Sequence, residues 1–101
     1  MTAKIPRIRV SPEQLREIFN RERFRERVQN GELSEKVDSE NPCPTASGEP
    51  PGTLSQMVAY LDSNGHRVAV VHQYLRKNGE LGGWGRPDPK KLIYQGTIYV
   101  V

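Results

Sequence analysis

A chain of 101 residues with 35% apolar side chains and a mean hydropathy of −0.71 can build one modest core, so a single small domain is expected, with part of the chain outside that core. No stretch approaches the roughly eighteen apolar residues of a membrane span, and the basic start MTAKIPRIRV lacks the apolar region of a secretory signal, so the expectation is no membrane contact and a cytoplasmic location. The net charge of +3 is segmented: residues 1–31 hold eight Lys/Arg against four Glu, residues 32–53 one Lys against five acids, and residues 54–101 six against three. Basic ends around an acidic middle suit surfaces for nucleic acid, or an acidic segment folded back on its own chain, or simply a solvated surface of mixed charge.

Residues 1–37 read as a helical arm. Ser11-Pro12-Glu13-Gln14 combines a capping serine, a proline for the first helical position and a glutamine completing a capping box. Leu15, Ile18 and Phe19 share one helical face, but Phe24 and Val28 fall nearly opposite. The arm is therefore either two short helices meeting near Asn20, with Asn20 capping the second, or one helix between two apolar surfaces, such as its own sheet and another chain. The second case makes it a docking face for a protein partner or a homodimer. Asn30-Gly31 is the expected stop. Arg21, Arg23, Arg25 and Arg27 crowd into two turns, as a solvated face or as phosphate contacts.

Residues 38–53, DSENPCPTASGEPPGT, are acidic and proline-rich and read as a flexible linker or long loop. The lone Cys43 has no partner for an intramolecular disulfide and, between two prolines, is poorly set for chemistry.

Residues 54–101 read as an antiparallel β module. SQMVAYLDS and HRVAVVHQYLR flank Asn64-Gly65, a preferred hairpin turn, which sets Tyr60 opposite Ala69, Val58 opposite Val71 and Met57 opposite His72. Met57, Ala59, Leu61, Val68, Val70 and His72 then share the more apolar face, the one expected to pack on the helical arm, with Tyr74 and Arg76 continuing it. Asn78-Gly79 reverses the chain into ELGGWG, a glycine-weakened strand in which Gly83 stands opposite Tyr74. Asp88-Pro89 reads as the cap and first residue of a short helical turn, and LIYQGTIYVV as a closing hairpin about Gln95-Gly96. The expected fold is α+β: one or two N-terminal helices, a proline-rich linker, then a four- to five-stranded antiparallel sheet built from hairpins.

The chemistry concentrates in residues 66–94, with both histidines, the only tryptophan and six of the fifteen basic residues. His66, beside a turn, is expected to be an exposed turn residue. His72, Tyr74 and Arg76 project from one strand face about 7 Å apart, a spacing at which proton transfer and anion binding combine. Trp84 in GGWGRP has small neighbours that leave its ring free for a flat partner, and with Arg86, Lys90 and Lys91 it forms a cationic aromatic rim. Two histidines six apart without a carboxylate or thiol at ligand spacing make no metal site, and no nucleotide-cofactor fingerprint or nucleophile motif is present, so no metal and no cofactor are expected. The expected function is a small binding module for RNA or DNA using Trp84, Arg86, Lys90 and Lys91. The alternatives are a metal-independent ribonuclease with His72 as base and Tyr74 and Arg76 beside it, or a protein-interaction domain. A helix followed by an antiparallel sheet is similar in architecture alone to the small bacterial ribonuclease toxins of the RelE and barnase-like group, and no motif carries a residue's role across.

Overall fold

The structure, a computed structural model, describes residues 5–101; residues 1–4, part of the segment read for a signal, lie outside the described residues. Ser11 caps α1 (Pro12–Arg21) with the full capping box: its side chain accepts from the Gln14 N–H and the Gln14 side chain accepts from the Ser11 N–H. The helix does not continue through the arginine run. Arg23 takes a left-handed conformation, φ 56°, and turns the chain into α2 (Phe24–Gln29), which stops at Asn30 and Gly31 as expected. The break falls at Glu22-Arg23 rather than Asn20, and no side chain caps α2.

That kink solves the problem of two opposed apolar faces. It folds Phe24 back onto Phe19, rings parallel at 5.8 Å, and both are buried. Val28, partly buried, packs against the same core.

Among the described residues the sheet has six strands: β1 (Arg7–Arg9), β2 (Ser34–Pro42), β3 (Leu54–Leu61), β4 (Arg67–Leu75), β5 (Asp88–Tyr94) and β6 (Thr97–Val100), in the order β1-β6-β5-β4-β3-β2. All neighbours are antiparallel except β1 and β6. The sheet thus has six strands rather than four to five, and the two that were not expected, β1 and β2, are its edges. Five residues assigned to the linker, 38–42, belong to β2, which pairs with β3 across a bulge between Val37 and Ser39. Every residue of β2 is exposed, so no apolar alternation marks it, and the backbone ladder to β3 makes the strand.

In the β3–β4 hairpin Tyr60 pairs with Ala69, Val58 with Val71 and Met57 with His72, as expected. At the turn the register shifts: Leu61 faces Arg67, and the Asp62 N–H reaches the His66 carbonyl at 2.9 Å. The loop is wider than a two-residue turn, with Asp62 Oδ1 accepting from the N–H groups of Asn64 and His66.

The face expected to meet the helices is the wrong one. Val58, Tyr60, Ala69 and Val71 pack with Leu15, Phe19, Phe24, Leu33 and Leu92, while Met57, Val70 and His72 point away. Gln56 and Gln73 disguised the buried face. Both are nearly inaccessible and partly satisfied in a chain: Gln73 Nε2 donates to Gln56 Oε1 at 2.9 Å and Gln56 Nε2 donates to Glu40 at 2.7 Å, while Gln73 Oε1 has no partner among the described residues. Asp88-Pro89 opens β5 rather than a helical turn. Pro89 lies opposite Val71 beside a bulge, one of the positions at which a sheet accommodates a residue without an N–H. At Gln95-Gly96 both φ angles are positive, 48° and 74°, the hairpin turn expected there.

Candidate functional site

Unequal strand lengths create the site. β5 begins at Asp88, opposite His72, whereas β4 runs on to Leu75, so residues 73–75 have no β5 neighbour. The connection folds over that gap. Its turn is closed by the Arg76 N–H on the Glu80 carbonyl at 2.9 Å, then comes an isolated bridge between Leu75 and Leu81, and the Gly82 N–H donates to the Tyr74 carbonyl at 2.8 Å. The returning segment is thus a loop with one bridge rather than a strand, and Gly82 rather than Gly83 stands opposite Tyr74. A cavity of about 810 Å³ remains between loop and sheet.

Met57, His72 and Tyr74 form its sheet wall, and Gly82, Gly83, Trp84 and Arg86 its loop wall. Asp88 and Lys90 enter from β5 and Arg16 from α1. Trp84 keeps 50% of its surface exposed, and the Arg16 guanidinium sits 5.7 Å from its ring centroid. Arg16 Nε also donates to Asp88 Oδ1 at 3.1 Å, and Lys90 Nζ donates to Asp88 Oδ2 at 2.9 Å. Burial pushes the Asp88 carboxyl up, but the hydrogen bonds from Lys90 and Arg16 outweigh it and hold the group below the usual carboxylate range. It is ionised at neutral pH.

His72 Nε2 and Ser55 Oγ share a hydrogen bond of 2.7 Å, and the imidazole meets Tyr74 edge-on with ring centroids 4.8 Å apart. Burial, with Lys90 adding to it, pushes the imidazole below its ordinary value, and Asp88 opposes only in part. The ring is therefore neutral at pH 7, able to accept a proton but carrying no charge to a phosphate.

The loop wall is positioned from the former linker. Glu49, almost fully covered, accepts from Arg76 Nε and from the Gly83 N–H, both at 2.9 Å. The Arg76 hydrogen bond and then the Gly83 N–H hold this carboxyl below its ordinary range. A Cβ at Gly82 would overlap the Glu49 carboxylate, so a larger residue there would have to displace the clamp. On the far side Arg86 donates to both Glu26 oxygens, at 3.2 and 3.4 Å, tying the loop to α2.

Of the residues singled out in the sequence, His72, Tyr74, Trp84, Arg86 and Lys90 line the cavity. Arg76 and Lys91 do not. Arg76 is held by Glu49, and Lys91 pairs in register with Val70 and Val100, across the bulge from Lys90. His66 is exposed in the hairpin loop as expected. Arg16 and Glu49 carried no signal, since their partners in the site are distant in sequence; Met57 was placed beside His72 by the hairpin register, and Asp88 was legible only as a cap. Among the described residues no three His, Cys, Asp or Glu side chains gather as metal ligands, and no helix is long and apolar enough to cross a membrane. No protein-family model, curated protein or solved structure matches the chain.

Proposed function

We propose that this chain is a cytoplasmic module that binds single-stranded RNA or DNA, seating one nucleotide in the cavity beside Trp84. The observation that carries the reading is the half-exposed Trp84 ring in a cavity that also holds Arg16, Arg86 and Lys90. An aromatic face accepts any base by stacking, for about 1–3 kcal/mol, and the cations answer the phosphates. The cavity volume lies within the roughly 300–1,000 Å³ of small-ligand sites, suiting a nucleotide rather than a duplex. In fluorescence-anisotropy titrations with labelled single strands at low salt, Trp84→Ala weakens binding about tenfold, the loss of one stacked base. If neither RNA nor DNA strands bind at low salt, the reading is wrong.

His72 favours a second reading, a metal-independent ribonuclease, because a neutral imidazole lies in the same cavity as Lys90 and Arg16. His72 would take the 2′-hydroxyl proton, the 2′ oxygen would attack the adjacent phosphorus, and the bond to the 5′ oxygen would break. The products are a 2′,3′-cyclic phosphate and a 5′-hydroxyl that takes its proton from water. Arg16 takes the place of Arg76 beside Lys90 in this scheme, since Arg76 stays with Glu49. Incubation of total RNA with the protein and with His72→Ala decides it: cleavage by the first alone supports it, and intact RNA with both removes it.

A further inference from the structure

We infer that the cavity selects guanine, reading its Watson–Crick edge with the Asp88 carboxylate while the base lies against Trp84. The inference rests on the binding role proposed above and names the nucleotide that the site takes. Its starting point is how Asp88 is held. Arg16 occupies one acceptor position of Oδ1 and Lys90 one of Oδ2, which fixes the carboxylate from both sides. A carboxylate has about four acceptor positions, so each oxygen retains one, and the group stays 27% exposed at the cavity wall.

Two parallel acceptors call for two adjacent donors. Guanine is the base whose Watson–Crick edge places two side by side, N1–H and the 2-amino group, next to the O6 acceptor. Adenine and cytosine present one amino group beside acceptors, and uracil or thymine a single N3–H between two carbonyls. The cations flanking Asp88 complete the match, because O6 lies beside N1–H and accepts from Arg16 or Lys90. Arg16 also joins the two halves of the site: its Nε holds the reading carboxylate and its guanidinium covers the stacking ring. A base against Trp84 therefore meets a carboxylate already held in place and takes the half of the ring that stays exposed beside Arg16.

The test is a competition series on the intact protein, displacing a labelled single strand with a short oligouridylate bearing guanosine, inosine, adenosine or cytidine at its centre, in ribo and deoxyribo forms. The guanosine strand is expected to compete about tenfold better than the adenosine, cytidine or all-uridine strands, in either sugar series, with inosine, which lacks the 2-amino group, in between. Asp88→Asn, whose folding is checked by thermal melting, should lose the preference, so that the guanosine, inosine and all-uridine strands compete alike. If that variant does not fold, the inosine step on the unchanged protein decides. Equal competition by all strands, or a preference for adenosine or cytidine, overturns guanine selection and leaves the binding role standing. Failure of every strand to bind overturns the binding role itself.

Discussion

His72 sits between Ser55 and the edge of Tyr74, with Lys90 close enough to oppose its protonation. An imidazole ordinarily titrates near pH 6.5, and here the folded value lies below that. Between the two values the unfolded chain binds a proton that the folded chain refuses. The contribution is therefore fully present above about pH 6.5 and is lost as the pH falls through the folded value. Denaturant midpoints recorded from pH 8 to pH 5 should decline below about pH 6.5, and His72→Gln should flatten that decline; an unchanged slope in the variant would remove His72 as its cause. Phe24 is the corresponding test for packing. Stacked on Phe19 and buried in the core, it should cost about 3–5 kcal/mol when replaced by alanine, measured by urea unfolding. A cost under about 1 kcal/mol, the range of an exposed position, would mean that α2 does not pack as described.

At the scale of elements, local chemistry was readable and long-range pairing was not. Ser11, Pro12 and Gln14 carry the start of α1 within four residues, so Ser11→Ala should lower stability by about 1 kcal/mol through the lost cap. Gln95-Gly96 and most of the β3–β4 register follow equally from local turn and pairing rules. The buried face of that hairpin was misread because two glutamines lie on it, joined to each other and to Glu40 by hydrogen bonds that no local pattern shows. β2 escaped notice because its single apolar residue, Val37, is itself exposed. Within the site, the aromatic and cationic residues of β4, the loop and β5 were legible as a cluster in sequence. Arg16 and Glu49 were not, since the first meets Asp88 72 positions away and the second meets Gly83 34 positions away. Glu49 makes the loop a part of the site. Gly82→Ala should displace its carboxylate and weaken single-strand binding several-fold while the thermal melt stays cooperative; unchanged affinity would show that the clamp does not position Trp84.

Over the whole molecule, the segmented charge resolves into pairs. Of the five acids in residues 32–53, four bind arginines: Glu32 with Arg27, Glu35 with Arg25, Asp38 with Arg67 and Glu49 with Arg76. The acidic middle thus neutralises its own chain, and the arginine run on the helices is partly consumed by β2. At the site Arg16 and Lys90 share the one carboxylate of Asp88 and Arg86 is paired with Glu26, so a polyanion meets the N–H donors that these three leave free. Steering by a net charge of +3 is weak, so affinity must come from stacking together with these few phosphate contacts. The central claim, that single-stranded nucleic acid is held against Trp84, is tested most directly by the intrinsic fluorescence of this sole tryptophan during titration with an oligonucleotide over a salt series. The account predicts saturable quenching and an affinity that falls with a slope of about −2 in log K against log salt, from three cations at roughly 0.7 each. Unchanged fluorescence at low salt, or quenching that ignores salt altogether, would contradict it.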